Sequence, residues 1–258
     1  MPSLVTLTTD FEERDANVAS IKGMLYSRYP GVQVEDLSHD IPRNHVTEGA
    51  LFLAGAIPYF PEGTVHITCI AAGSSPIAIS MQGQTILCPD NGVVTFLSKH
   101  FTIDEARVIS NPEVVLSGAG QTFFGRDVFA PAAAVLASGG QLSDLGEVLD
   151  SPKLLDLLEL KIDGATSIGG QVILVNRFGS LISNIHESDL GGSKVARVEV
   201  ADFPVGGIVD GYGQVGSGLP LALFGSSGYL EIAYNGDRAD ERLNARIGNN
   251  VNVTLESA

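Results

Sequence analysis

Three consecutive stretches decide how the first half of the chain folds: Leu4–Phe11 (LVTLTTDF), Asn17–Arg28 (NVASIKGMLYSR) and Val32–Leu37 (VQVEDL). Leu4–Thr8 is a β-branched run that ends at Thr9-Asp10, so it predicts a strand. Asn17–Arg28 places Val18, Ile21, Leu25 and Tyr26 near helical spacing before Pro30 stops it, and Val32–Leu37 then predicts a second strand. The alternation continues outward. Val46–Ile57 predicts a helix closed by Pro58, and Val65–Ile70 a third strand opened by Gly63-Thr64. Gln82-Gly83-Gln84 has the chemistry of a hairpin turn between Ile77–Met81 and Thr85–Cys88, and Val128–Ala137 is an Ala-rich helix ending at Gly139-Gly140. Repeated strand–helix–strand units imply an α/β domain with a mostly parallel sheet, whose ligands sit beyond the carboxyl ends of the strands.

From about Ile168 the texture changes. Short alternating runs (Gln171–Val175, Lys194–Val200, Tyr229–Ala233, Val251–Leu255) are separated by glycine-rich turns, the pattern of a smaller antiparallel β domain. The Leu-rich, charged connector Ser151–Leu160 lies between the two textures, which places the domains at residues 1–155 and 156–258. Composition removes several function classes. The 258 residues carry 15 Lys+Arg against 30 Asp+Glu, a formal net charge of −15, so the chain lacks the basic excess that phosphate neutralisation needs and is not expected to bind nucleic acid. No apolar run approaches the roughly 20 residues that span a bilayer, and MPSLVTLTTDF lacks signal-peptide regions, so the expected location is the cytoplasm without a membrane partner. Cys69 and Cys88 lie on apolar segments and read as buried free thiols, a disulfide or metal pair being the alternative. The five histidines show no ligand spacing, and no metal or cofactor is implied.

Four clusters place polar and glycine residues at strand ends or ahead of a helix: Thr8-Thr9-Asp10, Ala71–Ser75, Pro89–Gly92 and Thr122–Asp127. A carboxylate such as Asp10 can accept hydrogen bonds from both hydroxyls of a ribose, or it can cap its own loop; position alone leaves both open. Asp90-Asn91-Gly92 reads as turn chemistry, and Arg126-Asp127 as a charge pair at a helix start.

Taken in order, LTTDF with VASIKGMLY, VEDLSHDIP, FPEGTVHI, PDNGVV, TFFGRDVFAPAAA, FGSLISNI and SSGYLEIAYN resemble the S-adenosylmethionine hydroxide adenosyltransferases, relatives of the fluorinase and chlorinase, from Leu4 to about Asn235. The resemblance implies an N-terminal α/β domain and a barrel-like all-β C-terminal domain. It also implies a homotrimer that binds S-adenosylmethionine between one subunit's N-terminal domain and its neighbour's C-terminal domain. The implied reaction is nucleophilic displacement at ribose C5′, releasing L-methionine and giving adenosine when water or hydroxide attacks. Asp10 then matches the ribose-binding aspartate, Asn17 a residue near the methionine amino group, and Tyr212 the aromatic that packs on adenine. Ser226 and Ser227 match a segment that meets the methionine carboxylate, Asn235 and Gly236 the backbone that reads the adenine edge, and Ser74, Phe123 and Gly125 the nucleophile pocket.

Departures from the family pattern are equally specific. Hydroxide-using relatives carry an Asp in a DPGVG-like loop, an Arg after it and a His in TFHGRD. Here Ala71–Pro76 reads AAGSSP with no following Arg, and Phe124 stands in the third motif. Asn176 and Ser180 replace the Asp and Asn of a DxFGN motif, and Asn44 falls where relatives often place an aromatic. Three readings follow: displacement by water through desolvation and positioning alone, displacement by a halide, and non-catalytic binding of an adenosine-type ligand.

Overall fold

The computed structural model describes residues 3–118, 122–157, 159–163 and 166–256. They form two compact units, residues 1–155 and 156–258. In the first unit the elements run β1 (Leu4–Thr9), α1 (Asn17–Arg28), β2 (Gln33–Ser38), α2 (Val46–Ala56), β3 (Val65–Cys69), β4 (Pro76–Met81), β5 (Gln84–Pro89), α3 (Thr95–Ser98), β6 (Ile103–Val108) and α4 (Ala130–Ala137). A π-turn, Gly125–Phe129, leads into α4. The sheet order is β2-β1-β3-β5-β4-β6.

Strands β1, β2, β3 and β5 are mutually parallel, so their carboxyl ends lie along one edge. The other edge of the sheet is antiparallel, which makes it mixed. Left-handed backbone at Gln82 and Gly83 turns β4 back onto β5, as the hairpin chemistry predicts. β6, which the hydrophobic pattern does not mark because Asp104, Glu105 and Arg107 interrupt it, adds antiparallel to β4. Burial explains the arrangement. Five of the six residues of β1 are buried, as a central parallel strand requires, whereas β2 is a largely exposed edge. On one face Val5, Leu7, Ile67 and Leu87 pack with Ile21 and Leu25 of α1 and Ala130 and Ala133 of α4. On the other, Ile77, Ile79 and Ile86 pack with Leu53 of α2 and Leu97 of α3. Within the sheet, Thr6 and Gln84 bracket the buried His66 ring, and burial pushes its pKa down to about 4.

The second unit contains β7 (Lys161–Asp163), β8 (Ser167–Val175), β9 (Leu181–His186), β10 (Val195–Val200), β11 (Phe203–Gly206), β12 (Pro220–Phe224), β13 (Tyr229–Tyr234), a short helix α5 (Ala239–Arg242) and β14 (Asn250–Leu255). Their order is β11-β10-β14-β8-β9-β13-β12, antiparallel throughout, with β7 added to β8. A bridge between Ile208 and Ala222 nearly closes it into a barrel. Its core is Ile168, Val172, Leu181, Ile185, Val198, Leu230, Ile232 and Val253.

β9 escapes the alternation pattern because two buried polar residues, Ser183 and Asn184, interrupt it. Asn184 is fully buried yet saturated: Oδ1 accepts from Gln171 N at 2.8 Å, and Nδ2 donates to Leu157 O at 2.9 Å and Glu159 O at 3.0 Å. It thereby stitches the inter-domain connector to the barrel. Asn184→Ala leaves three part-buried backbone groups without their protein partner and is expected to cost about 1–3 kcal/mol, read as a lowered urea midpoint.

Candidate active site

Asp10 lies just past the carboxyl end of β1, where its N–H bonds Cys69 O at 3.2 Å. Its Oδ2 accepts two backbone N–H groups, from Asn44 at 2.9 Å and Ala71 at 3.1 Å. One carboxylate oxygen therefore ties together the loops that follow β1, β2 and β3. Asn44 (φ 62°) and Ala71 (φ 51°) are both in the left-handed region, as is Glu12 (φ 55°). For non-glycine residues that conformation costs of order 1 kcal/mol or more each, and such strain gathers at ligand sites. Asn91 supports the same loop, donating through Nδ2 to Ile70 O at 2.9 Å and Ala71 O at 3.2 Å. Asp10 Oδ1 has no hydrogen-bond partner among the described residues, and Asp10 lines a cavity of ≈ 440 Å³. The loop-capping and ligand-binding alternatives thus fall to different oxygens of one carboxylate.

A second cavity of ≈ 330 Å³ shares Phe11, Asn17, Ala72 and Thr122 with the first. Its remaining wall is mostly apolar and includes Cys69, Phe123, Phe124 and Gly125. Phe11 and Phe123 meet edge to face at 5.9 Å, and Phe124 packs on Phe129 at 6.3 Å. Two titratable groups reach this wall. Burial, reinforced by the charge of Asp10, pushes the Cys69 thiol far up, so it stays protonated. Arg126 is held by Asp127 through Nε–Oδ1 at 2.5 Å and Nη2–Oδ2 at 3.0 Å, which raises its pKa further. Neither can take a proton from a nucleophile at neutral pH.

Of the residues expected in the nucleophile pocket, Phe123 and Gly125 line this cavity. Ser74 is not among its lining residues: positive φ at Ala71 and Gly73 turns the loop so that Ala72 faces the space instead. Gly125 is closely packed by neighbouring side chains. A Cβ there would fall 2.7 Å from Ile21 Cδ1 and 3.1 Å from Cys69 Sγ.

The second unit gathers a different set. Ser180, Tyr212 and Gly236 line a cavity of ≈ 580 Å³ together with Phe178, Tyr234 and Arg238. Tyr212 is 42% exposed and donates its hydroxyl to Glu231 Oε1 at 2.6 Å; burial and that bond raise its pKa. Asn235 stands behind it, its Nδ2 donating to Tyr212 O at 3.3 Å and Val215 O at 2.7 Å, so it shapes the turn that presents the ring. Phe178 is 65% exposed, with the Arg177 guanidinium 4.7 Å over its ring. Asn176 closes its own turn: Oδ1 accepts from Phe178 N at 2.9 Å and Ser180 N at 3.0 Å, leaving only Nδ2 donors for a ligand. Ser226 and Ser227 form the tip of the β12–β13 hairpin and do not line this cavity. Phe178 and Glu231 lie inside the FGSLISNI and SSGYLEIAYN stretches without an assigned role, and Arg238 lies outside the motifs; the fold brings Phe178 and Arg238 to the Tyr212 cavity and Glu231 to the Tyr212 hydroxyl.

Comparison with known proteins places the chain in a family. Residues 5–146 match the SAM hydroxide adenosyltransferase N-terminal domain and residues 170–252 the SAM hydroxide adenosyltransferase C-terminal domain. The chain belongs to the SAM hydroxide adenosyltransferase family. It is 34% identical over 256 residues to the (R)-S-adenosyl-L-methionine hydrolase of Thermus thermophilus, covering 95% of this chain and 96% of that one. A fluorinase from an Actinoplanes species is 26% identical over 291 residues, covering 97% of each. Among solved structures, an uncharacterized conserved protein from Thermotoga maritima superposes with a TM-score of 0.84 at 27% identity, covering 97% of this chain and 99% of that one.

Gly125→Ala is expected to destabilise the fold by about 1–3 kcal/mol through overpacking against Ile21, measured by denaturant unfolding.

Proposed function

We propose that the protein binds S-adenosylmethionine and displaces L-methionine from ribose C5′ with water, forming adenosine. The observation that carries this reading is the divided Asp10 carboxylate, whose Oδ2 is consumed by Asn44 and Ala71 while Oδ1 remains to accept the ribose hydroxyls. Tyr212 and Phe178 supply aromatic faces for adenine from the second unit. The reading includes a cytoplasmic homotrimer, as the resemblance implies, with each ligand held between the N-terminal unit of one copy and the C-terminal unit of the next.

Bond changes in this reading are simple. A water oxygen forms the bond to C5′, the C5′–S bond breaks, and its electron pair returns to the methionine sulfur. The attacking water's proton passes to solvent. The sulfonium is already a good leaving group, so no metal or cofactor is required. What the protein contributes is in-line positioning and removal of bulk water, here by Phe11, Phe123 and Phe124. Phe124 cannot accept a proton, and neither Cys69 nor Arg126 can substitute for a base. Among the described residues no carboxylate lines that wall, which supports a second reading, in which a halide occupies the cavity.

Incubation with S-adenosylmethionine, with and without fluoride, chloride or bromide, and separation of the nucleosides decides between them. Adenosine in every sample is the expected result. A 5′-halo-5′-deoxyadenosine would support the second reading, and binding without turnover would overturn both. Because burial keeps the Cys69 thiol protonated and Asp127 keeps Arg126 charged, neither supplies a base, and kcat is expected to stay flat from about pH 6 to 9; a profile governed by a group near pH 7 would contradict base-free attack. Asp10→Asn replaces the acceptor oxygen's charge and is expected to weaken adenosine binding about tenfold by calorimetry.

A further inference from the structure

The segment VEDLSHDIP places His39 directly after β2, and the reaction outlined above makes no use of it. Its ring is buried, 6% exposed, against the end of β1. Nδ1 lies 2.9 Å from Thr9 Oγ1, and the same Thr9 oxygen accepts the N–H of Phe11 at 3.3 Å. The backbone carbonyl of His39 accepts the N–H of Glu12 at 2.9 Å. Ring and carbonyl together therefore grip both ends of the segment Thr9–Glu12, which has Asp10 inside it and left-handed backbone at Glu12.

On the far side of the ring, Nε2 stands 3.3 Å from Asp36 Oδ1, off the hydrogen-bond axis, while Asp36 Oδ2 receives Lys22 Nζ of α1. An ionised carboxylate is only an acceptor, so it favours the ring proton on Nε2. Nδ1 is then the acceptor, the Thr9 hydroxyl donates to it, and the Thr9 lone pairs stay available for Phe11 N. Reversing the tautomer would turn Nε2 into a lone pair facing a carboxylate. The Asp36 carboxylate, itself paired with Lys22, thus favours the tautomer in which the Thr9 hydroxyl donates to Nδ1.

From this geometry we infer that His39 is a positioning residue for the Asp10 site, acting through the Thr9 hydroxyl. The inference rests on the reading that Asp10 holds the ribose. An asparagine at 39 places an amide where Nδ1 stands and can keep the Thr9 bond, whereas a glutamine reaches toward Asp36 and abandons it. The experiment compares His39→Asn, His39→Gln, Thr9→Val and Asp10→Asn, titrating each with adenosine and recording its thermal midpoint.

His39→Asn is expected to bind adenosine within about threefold of the unmodified protein. His39→Gln and Thr9→Val should each bind about tenfold more weakly, and a double variant carrying both His39→Gln and Thr9→Val no more weakly than either alone. Both His39 variants lower the thermal midpoint, so a merely structural histidine would weaken binding equally in the two. Equal dissociation constants for His39→Asn and His39→Gln, or unchanged binding by the isosteric Thr9→Val, would overturn the inference. Unchanged binding by Asp10→Asn would instead overturn the ribose reading beneath it.

Discussion

One carboxylate oxygen accepting two backbone N–H groups is the constraint on which the candidate site depends. Asp10 follows β1, and its Oδ2 receives the amides of Asn44 and Ala71 from the loops after β2 and β3, the strands that flank β1 in parallel. Charge-assisted bonds of this kind are about twice as strong as neutral ones, enough to offset left-handed backbone at Asn44 and Ala71. The parallel order of β2, β1 and β3 puts the three loops within reach, and the aspartate then fixes their separation. What results is an acceptor, Oδ1, held by its own sister oxygen. Preorganisation of this sort spares the ligand the cost of ordering the loop.

A chemical consequence follows in the adjoining cavity. Its wall is built from phenyl rings, a thiol kept protonated by burial and the nearby Asp10 charge, and an arginine already neutralised by Asp127. Such a wall binds little water and offers no base. Displacement at a sulfonium tolerates this better than most reactions, because the leaving group departs without a proton. Where the resembled pattern has Asp, Arg and His, Ala71–Pro76 reads AAGSSP with no following Arg and Phe124 stands in the third motif, so in the proposed reaction rate enhancement falls to geometry and desolvation.

Much of the α/β unit was legible in the sequence, because burial on both faces leaves strong signals at β1 and β3 and helical spacing does so at α1 and α2. The barrel was legible only in part. β9 hides behind Ser183 and Asn184, a polar pair whose burial makes sense only once Gln171, Leu157 and Glu159 are seen to satisfy Asn184. At the site, Asp10 and Gly125 stand out from motif context, but the partners of Asp10 are backbone amides and have no residue signature. Ala71 adopts a conformation that glycine usually fills, so nothing in its identity announces it. The same backbone turn is why Ala72, and not Ser74, reaches the cavity. Asn176 illustrates the converse: a residue type suited to a ligand is used up by its own turn.

The central claim is that Asp10 Oδ1 accepts the hydroxyls of a ribose. It is tested most directly by calorimetric titration of the unmodified protein with adenosine, 2′-deoxyadenosine and 3′-deoxyadenosine. The account predicts that each deoxynucleoside binds about tenfold more weakly than adenosine, since each removes one charge-assisted hydrogen bond. Equal affinity for all three would contradict it.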